Sequence, residues 1–136
     1  SPKKPSKRWS AEKYAELSDK IYQYGIIPYL VGTKTESPIA KKICTLSKAA
    51  KSIVDSTNLV ELAQIFSDAQ FVVGNDTGPT FIAAIIGAPT LMLMGADTNP
   101  KLSAPRGNAA GHIYKSNIQS IMPKEVIDKM HQLGGL

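Results

Sequence analysis

The chain has 136 residues, enough for one domain with a real core and too few for two. At 43% hydrophobic and 20% charged residues it is not a disordered polymer, and no apolar run reaches the length of a membrane span. The net charge of +5, partly gathered at Lys3, Lys4, Lys7 and Arg8, suits an anionic partner. No DNA- or RNA-reading motif accompanies it, and nucleic acid is not expected.

In chain order, Ser10 reads as the N-cap of a first helix, with Glu12 in its first turn and Gly25 as its stop. Tyr14, Leu17, Ile21 and Tyr24 recur between them at helical spacing. Ile26 to Val31 reads as a strand, with Pro28 marking an edge or a bulge. Gly32 to Glu36 is a polar turn. Ser37 and Pro38 then open a helix as N-cap and first helical residue, with Ile39, Ile43 and Leu46 on its inner face. The single cysteine, Cys44, falls in this helix. With no disulfide to form and no signal-peptide pattern at the start, it points to a core position in a reducing, cytoplasmic protein.

Ser52 to Asp55 is a short strand, and Asn58 with Glu61 resembles a capping box ahead of a helix burying Leu59, Leu62, Ala63 and Phe66. Phe71-Val72-Val73 is an apolar run ending at Gly74, the pattern of a strand buried on both faces. Asn75 to Gly78 form a turn, and Pro79 starts an almost wholly apolar helix. That turn has two readings. Asp76 and Thr77 can cap the helix and do no more, or the turn and the helix N-terminus can cradle an anion such as a phosphate; spacing leaves both open. Thr90 to Met94 is a strand, followed by a Pro- and Gly-rich loop, a short strand around His112 to Tyr114, and a last helix from Pro123 to Leu133.

Strands alternating with helices predict a parallel sheet covered on both faces, with ligands bound beyond the strands' C-terminal ends. The turns at 32–36, 55–58 and 75–78 and the loop at 95–100 all fall on that edge. No metal is expected. Asp97-Thr98-Asn99 offers one carboxylate, a poor magnesium site, and His112 and His131 are isolated.

Asp76-Thr77-Gly78-Pro79, then Ala83-Ala84, Gly87-x-Pro89 and a strand ending at Gly95, resemble the signature of the ADP-heptose:lipopolysaccharide heptosyltransferases of glycosyltransferase family 9. Three further segments fall in family order. Lys7-Arg8-Trp9 is similar to the family's Lys/Arg-x-Trp segment, and Gly32-Thr33 with Glu36 to its Gly-x-x-x-Glu turn. Ile121-x-Pro123 with Val126 is similar to the opening of its last helix. The resemblance implies an α/β fold: a three-layer Rossmann-like domain with a mainly parallel sheet, the C-terminal half of a GT-B glycosyltransferase. Residues 1–136 are then a single nucleotide-sugar-binding domain, and an N-terminal acceptor domain, in the same polypeptide or a separate chain, supplies the rest. The sequence opens at Ser1 without a Met, which agrees with that expectation.

The implied function is transfer of heptose from an ADP-heptose donor to a lipopolysaccharide inner-core acceptor, with inversion. It takes place in the cytoplasm, and a peripheral position at the inner membrane is open. Another GT-B nucleotide-sugar enzyme, such as an epimerase, and a non-catalytic remnant are the alternatives. Position by position, the resemblance places Lys7 on the diphosphate, Glu36 on the ribose hydroxyls and Thr57 near the adenine. It places Asp76 on sugar hydroxyls and Thr77 and Gly78 on phosphate oxygens. The family carries a His three residues after that Gly; here the position is Phe81, which offers shape but no hydrogen bond. The general base is expected in the N-terminal domain, and neither a metal nor another cofactor is implied.

Overall fold

The computed structural model describes residues 9–31, 36–54, 59–75, 90–94 and 110–133. Helix α1 spans Ala11–Gln23, strand β1 Tyr29–Leu30, helix α2 Ser37–Leu46 and strand β2 Lys51–Ser52. Helix α3 spans Leu59–Asp68, followed by strands β3 at Val72–Asn75, β4 at Thr90–Met94 and β5 at Ala110–Tyr114. A 3₁₀ turn at Ile118–Ser120 leads into helix α4, Pro123–Gln132.

Every strand pairing is parallel. β1 pairs with β2, and β3, β4 and β5 pair in that order, with Val72 opposite Thr90 and Thr90 opposite Ala110. Parallel neighbours need a crossover, and α2 supplies the one between β1 and β2. The expected Rossmann-like α/β domain is therefore present. β4 is its most buried strand, with Thr90, Leu91 and Leu93 fully enclosed, as expected of a strand covered on both faces.

Local chemistry sets the helix ends. The Ser10 side chain accepts from the Lys13 N–H at 3.2 Å, and Gly25 at φ +82° takes the left-handed conformation that stops α1. α2 differs from expectation. It begins at Ser37 itself, Glu36 holds the N-cap position, and Pro38 lies one residue further in. Leu46 is 48% exposed rather than on the inner face, because the inward stripe runs instead through Ala40 and Ile43. β1 shortens to two residues after Pro28, which has no N–H to donate. β2 begins one residue earlier than Ser52, where Lys51 N–H donates to the Pro28 carbonyl at 3.0 Å. Tyr24 lies beyond the last turn of α1 and is exposed. Cys44 is half-buried, its thiol donating to the Ala50 carbonyl at 3.6 Å.

Two apolar clusters divide the interior. The larger joins Trp9, Leu17, Leu91, Leu93, Ile118, Ile121, Val126, Ile127 and Met130. The smaller sits between α1 and α2, around Ala11, Ala15, Ile43 and Ala50. Trp9 anchors the larger one. It is fully buried, its indole N–H donates to the Ile121 carbonyl at 2.8 Å, and its ring meets Tyr14 edge-on at 4.9 Å. The Ser10 N–H adds a bond to the Gln119 side-chain carbonyl at 3.0 Å. The start of α1 is thereby fixed to the entry of α4.

Glu125 organises that entry. Its carboxylate accepts from the Met122 N–H at 3.0 Å and from the Lys115 ammonium at 2.7 Å. The Lys115 hydrogen bond, then the backbone one, holds its carboxyl below the usual value.

Trp9→Phe keeps an aromatic ring of smaller volume but leaves the Ile121 carbonyl buried without its donor, and should cost at least about 1–3 kcal/mol in urea unfolding. Trp9→Ala should cost about 3–5 kcal/mol. A loss below about 0.5 kcal/mol for both would show that the clamp contributes little. Glu125 gives a pH test. A carboxyl lowered in the folded state stabilises it above the unfolded-chain value, and that stabilisation is lost as pH falls through the folded one. With both partners more than a third exposed, Glu125→Gln should cost no more than about 1 kcal/mol at neutral pH. The difference from wild type should vanish in urea titrations carried below the carboxylate range; a pH-independent difference would contradict the pairing.

Candidate functional site

Parallel strands end on one side, so β1 and β2 deliver the residues that follow them to one edge of their sheet, and β3, β4 and β5 do the same in theirs. Val31 follows β1, Val54 lies just beyond β2, and Gly74 and Asn75 close β3. Glu36 stands at the start of α2, where helix N–H groups and the dipole favour an anion or an acceptor group. Its backbone is helical (φ −88°, ψ −1°), and its side chain makes no capping hydrogen bond. The helix cap is therefore not what occupies this carboxylate.

Val31, Glu36, Val54 and Gly74 also line one cavity of about 590 Å³, together with Tyr29 and Leu30 of β1 and Val72 and Val73 of β3. The interior is apolar, with Leu17, Ile21, Leu30, Ile43, Phe71 and Val73 among its walls. Asp68 and Gln70 reach it from α3 and the segment entering β3, at the strands' other ends. This volume is in the range of small-molecule sites. Held shut and empty, it would cost on the order of 14 kcal/mol at about 24 cal/mol per Å³, as much as a whole domain's stability. It is a cleft open to solvent, not a sealed void.

Of the residues singled out from sequence, Glu36 is the one the structure describes, and it stands on this edge. Lys7, Thr57, Asp76, Thr77, Gly78 and Phe81 lie outside the described residues, as does the helix predicted to start at Pro79. Sequence reasoning missed the wall residues Val31, Val54 and Gly74; their signal was the last apolar position before each polar turn. His112 is exposed, and His131 packs edge-on against Tyr24 at 5.4 Å, with its Nε2 3.4 Å from the tyrosine hydroxyl. Among the described residues no three His, Cys, Asp or Glu side chains group as metal ligands, and no helix is long and apolar enough to cross a membrane.

Parallel strands joined through helices define the class of Rossmann-like α/β domains. Comparison narrows it. The model of glycosyltransferase family 9 (heptosyltransferase) matches residues 1–132, and the chain belongs to that family.

Lipopolysaccharide core heptosyltransferase OpsX of Haemophilus influenzae is 32% identical over 85% of this chain and 35% of its own length. Lipooligosaccharide heptosyltransferase 2 of the same species is 25% identical over 95% and 44%. Two solved structures share the fold: E. coli ADP-heptose lps heptosyltransferase II, with a TM-score of 0.85, and E. coli heptosyltransferase WaaC with ADP, with 0.84. Each is 22% identical to this chain; it covers 95% of this chain in the first case and 96% in the second. The chain spans less than half the length of these relatives, 42% and 41% of the two structures.

Proposed function

We propose that this chain is the donor-binding half of an inverting glycosyltransferase that moves heptose from ADP-heptose to the inner core of lipopolysaccharide. The observation that carries this reading is the family match, unbroken from the first residue to the last helix. Membership extends through the Lys7-Arg8-Trp9 segment, the Glu36 turn and the Asp76–Pro79 turn, which fall in one order along the parallel fold. The WaaC structure was solved with ADP, which supports the same nucleotide here.

In the reaction an acceptor hydroxyl attacks the anomeric carbon, and the bond from that carbon to the diphosphate oxygen breaks. ADP leaves, the configuration inverts, and a base takes the hydroxyl proton. The residues of this chain act on the donor side. Glu36 accepts hydrogen bonds from the ribose hydroxyls, as acidic residues do in dinucleotide folds. Lys7 neutralises charge on the departing diphosphate, Thr77 and the Gly78 N–H hold phosphate oxygens, and Asp76 accepts from the sugar. Thr57 lies toward the adenine, and Phe81 contributes apolar area where the family carries a histidine. A lysine and helix N–H groups can offset a diphosphate without a metal, so none is invoked.

A second Rossmann-like domain, in the same polypeptide or another, supplies the acceptor site and the base, in keeping with relatives more than twice as long. The setting is the cytoplasmic side of the inner membrane, where the protein sits peripherally on its lipid-linked acceptor.

Calorimetry with ADP, UDP and ADP-heptose tests the reading. ADP should bind more tightly than UDP, and Lys7→Ala and Glu36→Ala should each weaken ADP by about 1–3 kcal/mol, in line with charge-assisted contacts. Preference for UDP would favour another GT-B enzyme such as an epimerase, and silence with all three a remnant that has lost its ligand.

A further inference from the structure

We propose that the apolar cavity is a site for a small organic cation, an alkyl or aryl ammonium whose apolar body fills it and whose head rests at Asp68, on the C-terminal end of α3. The charge of the lining selects this class of ligand. Among the described residues that line the cavity there are two carboxylates, Glu36 and Asp68, and no Lys, Arg or His. The chain as a whole carries a net charge of +5, so the cavity is a local reversal of sign. A phosphate or carboxylate placed inside would shed its water and meet only like charge. An apolar body, in contrast, displaces water from aliphatic walls such as Ile21, Ile26, Ile43 and Ile65, which is favourable.

The two carboxylates are not equivalent. Glu36 holds the N-cap of α2, where the positive end of the helix dipole offsets its charge. Asp68 is the last residue of α3, where the helix carbonyl end adds to its charge. No basic side chain stands in that last turn, and the bond from the Ser67 hydroxyl to the Gln64 carbonyl at 2.9 Å is neutral and leaves the sign in place. Asp68 is also exposed, so an ammonium beside it keeps part of its water while its body lies inside, as long cationic side chains do at apolar surfaces. Tyr29 and Phe71 line the same cavity, and aromatic ring faces attract a cation.

Three probes with one tail and different heads test the proposal: n-octylammonium, 1-octanol and octanoate, titrated by calorimetry and followed by ¹⁵N amide shifts. Octylammonium should bind saturably, with shifts at Ile65, Asp68 and Phe71, about threefold more tightly than octanol and roughly tenfold or more above octanoate. Asp68→Asn should bring octylammonium down to the affinity of octanol and leave octanol unchanged. Ala40 is buried on the cavity wall, so Ala40→Leu should weaken octylammonium and octanol alike, by about fivefold or more. Ala40→Val serves if the leucine variant does not fold. Absence of saturable octylammonium binding, or octanoate binding as tightly, would overturn the proposal. An Asp68→Asn variant that keeps the preference for the ammonium would do the same, as would an Ala40→Leu variant with wild-type affinity. ADP titrated separately decides the donor reading, and silence there would leave each of these outcomes unchanged.

Discussion

The buried bond from the Trp9 indole to the Ile121 carbonyl is the constraint on which the rest of the domain depends. It joins residues 112 positions apart, so it forms only when the chain has closed around its sheet. Around it the Trp9 ring shares the larger cluster with the β4 residues Leu91 and Leu93 and the α4 residues Val126 and Met130. Ring and bond act together: the ring supplies apolar area, and the N–H fixes one orientation for it.

Parallel pairing then converts a one-dimensional order of turns into a site. Because the strands within each sheet run the same way, the turns that follow them arrive at one edge of that sheet without any contact between them being specified. The halves of that edge are not equally firm. β4 is flanked by two strands, with Thr90, Leu91 and Leu93 fully enclosed, whereas β1 and β2 make a two-residue ladder beside an open cleft. Stability is graded across the sheet, and the weakly held side carries Glu36. Elements on the less stable side of a fold adjust at modest cost.

Much of this was legible in the residues. Ser10 and Gly25 bounded α1 because capping chemistry and left-handed glycine are local and strong. Thr90–Met94 matched its strand because a buried run flanked by turns leaves little choice. The misses came where tertiary context decides. Leu46 fits the helical spacing of an inner face, yet α2 turns Ala40 and Ile43 inward and leaves Leu46 exposed. Ser37 has the chemistry of an N-cap, yet Glu36 takes that position. For the site, Glu36 was expected in the turn after β1, and it stands at the start of α2. The split between β1 and β3 could not be read, because both strands show the apolar pattern of a continuous sheet.

The central claim is that a nucleoside diphosphate binds at the strands' C-terminal edge. Titrating ADP into the ¹⁵N-labelled domain and mapping the amide shifts tests it most directly. The account predicts saturable shifts gathered at Val31, Glu36, Val54 and Gly74. Saturable shifts centred on the opposite edge, at Ile27, Asp68 and Gln70, would contradict it.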